Sequence, residues 1–118
     1  LARFAAIPAF ALLLTVGIAS TAPAATVGEV APAFTATAAD GATVKLEDFK
    51  GKIVVLEWFN KECPFVRKHY DGKNMQNLQK ELTAKDVVWL TVNSSAEGKQ
   101  GHETADTAKE TIAKEGAA

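Results

Sequence analysis

The fold turns on one stretch: Ile53-Val54-Val55-Leu56-Glu57-Trp58-Phe59-Asn60-Lys61-Glu62-Cys63-Pro64-Phe65-Val66-Arg67-Lys68. Its opening, Ile53 to Phe59, is apolar apart from Glu57 and rich in β-branched and aromatic side chains, which predicts a strand. Strict alternation is missing, so the strand is expected to be central and covered on both faces, as in parallel or mixed sheets flanked by helices. Pro64 follows Cys63 directly, and proline is best tolerated at the first position of a helix. Cys63, the only cysteine in the chain, is therefore expected at a helix N-terminus beyond the end of a buried strand. Free backbone N–H groups and the helix dipole there favour the thiolate, the reactive form. The competing reading is a cysteine that packs as a small hydrophobe.

Working outward, Phe34-Thr35-Ala36-Thr37-Ala38 and Thr43-Val44-Lys45-Leu46 flank Asp40-Gly41, a strong hairpin signal. Glu47 to Lys52 form a short turn into the strand. After Cys63, a helix carrying Val66 and Tyr70 meets Asp71-Gly72, which interrupts it. Asn74 is expected to cap a second helix with Met75, Leu78 and Leu82 as its inward stripe. Val87 to Val92 read as the next strand, with Trp58 and Trp89 as core residues of adjacent strands. Asn93-Ser94-Ser95 follow at its C-terminal end, where open α/β sheets place ligands, and are expected to line the thiol pocket. A helix from about His102 to Lys114 has a weak apolar face (Ala105, Ala108, Ile112) and stops at Gly116.

With 118 residues, 47% hydrophobic and 23% charged, the chain suits one globular domain. A net charge of -1 with interspersed signs argues against a nucleic-acid surface. Residues 1–24 stand apart: Arg3 is their only charge, an apolar stretch runs from Phe4 to Ile18, and Ala22-Pro23-Ala24 offers small residues for a signal peptidase. This predicts an export signal over residues 1–24, a mature domain over 25–118 in the periplasm or secreted, and no stable membrane insertion after cleavage. A single cysteine cannot form a disulfide within the chain, so any disulfide is with another molecule.

The order of elements, together with Val27-Gly28-Glu29-Val30-Ala31-Pro32-Ala33-Phe34, Leu46-Glu47-Asp48-Phe49-Lys50-Gly51-Lys52 and Trp58-Phe59-Asn60-Lys61-Glu62-Cys63-Pro64-Phe65-Val66, resembles the thioredoxin-like redoxins, most of all the alkyl-hydroperoxide-reductase/thiol-specific-antioxidant (peroxiredoxin-like) branch. The resemblance implies an α/β thioredoxin-like fold: an N-terminal β-hairpin, then a central mixed sheet flanked by helices. It also implies that the family's later half, including a cis-proline loop facing the cysteine, would lie beyond Ala118, which predicts a C-terminally incomplete domain. By position, Cys63 inherits the role of nucleophile. Thioredoxins carry a second cysteine where this chain has Val66, so self-resolving dithiol exchange is excluded within the chain. Peroxiredoxins carry a proline and a threonine where this chain has Leu56 and Asn60, so the peroxidase signature is incomplete.

Around the thiol, Asn60 offers an amide to a peroxide oxygen or to the thiolate, and Pro64 shapes the helix start. Arg67, one helical turn on, is placed to stabilise the thiolate or stands as a solvated surface arginine. Glu57 occupies the position of the buried acid that relays protons in thioredoxins. It is expected either to assist proton transfer or to pair with a lysine such as Lys52. His69 and His102 read as surface or packing residues, and no short ligand spacing suggests a metal. The expected activity is that of an exported thiol oxidoreductase. The Cys63 thiolate attacks a hydroperoxide or a disulfide, an external thiol reduces it, and no cofactor takes part. The alternatives are protein-thiol exchange with a partner's cysteine, and a thioredoxin-fold binding module with an incidental cysteine.

Overall fold

The structure is a computed structural model that describes residues 24–117. Apart from Ala24, the expected export segment lies outside the described residues. Among them, no helix is long and apolar enough to cross a membrane. The chain divides after Pro32. The short segment before that point makes one turn, in which the Glu29 N–H donates to the Thr26 carbonyl at 3.2 Å.

From Ala33 onward the elements run β1 (Thr35–Thr37), β2 (Thr43–Lys45), a 3₁₀ turn (Leu46–Phe49), β3 (Val54–Trp58), α1 (Pro64–Asp71), α2 (Asn74–Thr83), β4 (Val88–Val92) and α3 (Ala105–Glu115). The hairpin is antiparallel, with Ala36 opposite Val44. Its turn is built as the Asp40-Gly41 pair dictates: the Asp40 carboxylate accepts the Ala42 N–H at 2.9 Å, and Gly41 takes a φ of +89°. β3 and β4 are parallel, with Val55 beside Trp89 and Glu57 beside Thr91. The fold is thioredoxin-like α/β, as the resemblance implies, and among the described residues the two strand pairs form separate ladders.

Side chains alternate along β3, and the two faces differ sharply. Val55, Glu57 and Phe59 share the face that meets α1 and α2. Phe59 and Tyr70, both buried, pack edge to face at 5.0 Å and 75°, worth about 0.5–1.5 kcal/mol beyond the area buried. On the opposite face Leu56 and Trp58 are exposed, Trp58 by 62%. Trp58 is thus not the core residue that its composition suggests, and within the described residues β3 is covered on one face only.

Gly72 ends α1 by donating its N–H to the Lys68 carbonyl at 3.3 Å, and Lys73 then turns left-handed at φ 60° to start α2. Asn74 is consequently the first helical residue rather than the cap, and its amide pairs with His69 Nδ1 at 3.0 Å. The expected inward stripe of α2 is corrected at one position. Met75 and Leu82 are half-buried, but Leu78 is exposed, and the fully buried side chain is Gln79, drawn inward by the polar groups it bonds. α3 starts at Ala105 rather than His102, because Thr104 is the cap: its hydroxyl accepts the Thr107 N–H at 3.3 Å, and the Thr107 hydroxyl accepts the Thr104 N–H at 2.9 Å. Its end at Gly116, left-handed at φ +65°, is as expected.

Candidate thiol site

Cys63 is the N-cap of α1, with extended backbone (φ -75°, ψ 122°), Pro64 at the first helical position, and a half-buried free thiol. Its N–H donates to the Asn60 carbonyl at 3.0 Å, and its own carbonyl accepts the Arg67 N–H at 2.9 Å. The thiol loop is therefore a tight turn that feeds directly into the helix. Pro64 has no N–H to offer, so Phe65 and Val66 carry first-turn donors without intrahelical acceptors. Such donors stabilise negative charge that develops beside the helix end.

The Asn60 side chain is engaged within the loop. Its Oδ1 accepts the Glu62 N–H at 2.9 Å, and its Nδ2 donates to the Gln100 carbonyl at 3.3 Å. Pro64 is exposed at the helix start. The Arg67 guanidinium turns to carboxylates: it forms an ion pair with Asp71 one turn on, and donates from both terminal nitrogens to Glu115 of α3 at 2.7 and 3.1 Å. The Glu115 carboxyl is buried, and this bonding holds it below the usual carboxylate range. Gln76 adds a second tie, donating to the Glu115 main-chain carbonyl at 2.9 Å.

Glu57 makes a different constellation. Tyr70 donates to Oε1 at 2.8 Å, while Oε2 accepts from Gln79 at 3.0 Å, from the Trp89 indole at 2.8 Å and from Thr91 at 3.4 Å. Gln79 also donates to the Tyr70 oxygen at 3.1 Å. Lys52, the lysine considered for Glu57, instead bonds Asp86 at 2.7 Å. Burial, followed by the hydrogen bond to the anionic Glu57, pushes the Tyr70 phenol well above its ordinary value.

The structure thus gathers Asn60, Cys63 and Pro64 in one loop and directs Glu57 and the Arg67 head group into separate networks. Sequence reasoning missed Glu62, Gln100 and Gly101, which join that loop to the segment before α3: the Glu62 carboxylate accepts the Gly101 N–H at 2.7 Å. Paired glycines at 98 and 101 were the one available signal. Asn93, expected near the thiol, donates to the Phe59 carbonyl at 3.4 Å and to the Gly101 carbonyl at 2.8 Å, so it tethers the end of β3 to the same segment. A charged recess of about 540 Å³ is lined by Lys61, Glu62, Arg67, Asp71 and Glu115 among others, with Cys63 outside its lining. A larger apolar groove of about 660 Å³ runs between the hairpin, β4 and α3, with Phe34, Leu90 and Ile112 in its lining and Cys63 outside it. Among the described residues no group of three or more His, Cys, Asp or Glu could hold a metal ion.

Several solved structures share this fold. The thioredoxin domain of a thiol-disulfide oxidoreductase from Bacteroides vulgatus is 23% identical, with a TM-score of 0.57 over 80% of this chain and 61% of that one. A thiol:disulfide interchange protein from Bacteroides sp. is 24% identical, with a TM-score of 0.57 over 76% of this chain and 53% of that one. The pneumococcal exposed lipoprotein thioredoxin from Streptococcus pneumoniae is 26% identical, with a TM-score of 0.50 over 70% of this chain and 57% of that one. This chain therefore spans between 53% and 61% of the length of these proteins. No protein of curated function matches it significantly. Residues 27–115, which contain the hairpin, the thiol loop, α1, α2 and α3, match the AhpC/TSA family. A cysteine at the strand-to-helix junction of a thioredoxin-like fold, within a family match that spans most of the chain, makes this protein a member of the AhpC/TSA family.

Proposed function

We propose that this protein is an exported thiol oxidoreductase that works through Cys63 alone. The observation that carries the reading is the placement of Cys63 as N-cap of α1 just beyond the C-terminal end of β3, with Pro64 at the first helical position. With a hydroperoxide, the thiolate attacks one peroxide oxygen and the O–O bond breaks. The leaving alkoxide takes a proton and departs as an alcohol, and the sulfur is oxidised to a sulfenic acid. An external thiol then attacks that sulfur with loss of water, and a second thiol displaces the first as a disulfide and regenerates Cys63. Helix N–H donors lower the cost of the anionic sulfur at the start and end of this cycle. Export, over a signal at residues 1–24 that leaves a domain from residue 25, follows from the apolar N-terminal segment and is in keeping with the likeness to an exposed lipoprotein thioredoxin.

A second reading, thiol-disulfide exchange with a partner's cysteine, is favoured by the names of the solved structures that share the fold. In that case the thiolate attacks a disulfide sulfur and the other sulfur leaves as a thiolate. One experiment separates the two. Dilute hydrogen peroxide is expected to consume one thiol per wild-type chain, form a sulfenic acid and spare Cys63→Ser. Inertness to peroxide together with a trapped mixed disulfide would favour exchange, and inertness to both oxidants would leave a binding module.

A further inference from the structure

Each of the three residues that precede Cys63 grips the same short segment, some forty positions later, between β4 and α3. Asn60 Nδ2 donates to the Gln100 carbonyl at 3.3 Å. The Lys61 ammonium pairs with Glu103 at 3.1 Å, where the Glu103 carboxylate is buried and also accepts from Thr111 of α3. The Glu62 carboxylate accepts the Gly101 N–H at 2.7 Å, and the Glu62 carbonyl receives Gln100 Nε2 at 3.5 Å. Gly101 itself is buried, at φ +74°, and a Cβ there would collide with the Asn60 carboxamide. Only glycine suits that position, for two independent reasons: the left-handed backbone and the side chain seated on it. From the far side, Asn93 holds both the Gly101 and the Phe59 carbonyls, so the end of β3 and the clamp segment share one anchor.

A loop that positioned itself would not need this. The internal bonds of the thiol turn are the Cys63 N–H to Asn60 and the Glu62 N–H to the Asn60 amide, and the amide of Asn60 is oriented by Gln100 and Gly101. We propose that the segment Gln100–Glu103 is a positioning clamp for the Cys63 thiol, with Glu62 and Gly101 as its positioning residues. Release of the clamp lets the turn open, loosens the placement of Cys63 at the N-terminus of α1, and slows its reaction with any electrophile. The inference rests on the reading of Cys63 as the reacting group. It adds that a segment distant in sequence sets that group's geometry.

The test uses the full chain and the second-order rate of Cys63 with hydrogen peroxide and with a small aromatic disulfide, alongside hydrogen exchange at the Cys63 amide. Glu62→Ala is expected to lower both rates by about 10- to 100-fold, the scale on which ångström-level misplacement is felt, and to speed exchange at Cys63. Glu62→Gln keeps an oxygen that accepts the Gly101 N–H, and is expected to restore most of the rate. Gly101→Ala should resemble Glu62→Ala, and if Gly101→Ala does not fold, the Glu62 pair decides alone. Were Glu62 to act through its charge, its removal beside a thiolate would accelerate the reaction equally in the Ala and Gln variants, which would overturn the clamp. Rates and exchange unchanged in Glu62→Ala would overturn it as well, while leaving Cys63 as nucleophile. If wild-type Cys63 reacts no faster than free cysteine, the reactive-thiol reading fails first, and the clamp falls with it.

Discussion

The indole N–H of Trp89 donates to Glu57 Oε2 at 2.8 Å, reaching diagonally across the parallel ladder, since Trp89 is registered on Val55 and the partner of Glu57 is Thr91. One carboxylate thereby joins β3 to β4 through Trp89 and Thr91, to α1 through Tyr70, and to α2 through Gln79. A carboxylate inside a strand is costly on its own, and these donors replace the water it gave up.

Glu57→Leu leaves the Trp89 and Tyr70 donors without that acceptor, while Gln79 keeps its bond to the Tyr70 oxygen. At about 1–3 kcal/mol for each group left unsatisfied, the expected loss of stability is at least about 2 kcal/mol. Urea unfolding measures it, and Trp89 fluorescence, read in a Trp58→Phe background, should shift as the indole loses its partner. An unchanged midpoint with unchanged emission would show that the network carries no weight.

Tyr70 ties stability to alkaline pH. Its folded value lies above its unfolded value of about 10, so the folded state keeps the proton longer. Its contribution is complete below pH 10 or so and is lost as pH climbs from there through the raised folded value. Tyr70→Phe should be less stable than wild type by about 1.5–3 kcal/mol at neutral pH, the range for a hydrogen bond to a charged group, and should lack this alkaline decline. Parallel stability profiles of the two proteins above pH 10 would refute it.

The Arg67–Glu115 pair gives the opposite dependence. The Glu115 carboxyl is held below its ordinary range, so its contribution is present above the unfolded value of about 4.3 and is lost as pH falls through the depressed folded value. Glu115→Gln should lower stability at pH 7 by about 1–3 kcal/mol and flatten the acid limb of the stability curve. An acid limb identical to wild type would show that the pair is not what fastens α3 to α1.

Thr104→Ala removes the cap of α3. The expected cost is about 1 kcal/mol, concentrated at the first turn of that helix, where amide exchange at Thr107 should accelerate while exchange in α1 stays unchanged. Uniform acceleration across both helices would mean that α3 does not open by itself.

What was legible from sequence came from local physical chemistry. The Asp40-Gly41 hairpin, the β3 and β4 runs, the break at Asp71-Gly72, the stop at Gly116 and the placement of Cys63 before Pro64 all follow from turn, strand and capping preferences that act over a few residues. The positions that failed were those where a distant partner outweighed local preference. Gln79 outranks Leu78 for burial because Glu57 and Tyr70 bond it, and Trp58 lies exposed on the uncovered face of β3 while the register of β3 and β4 brings the Trp89 indole to the carboxylate. Likewise, Arg67 one turn after Cys63 and one turn before Asp71 is a sequence fact, but its pairing with Glu115 depends on where α3 ends. The residues Asn60 to Glu62 carry no motif that names Gln100, Gly101 or Glu103. Hydrogen bonds are short-ranged and directional, so their partners are settled only when the chain brings the two segments within about 3 Å of each other.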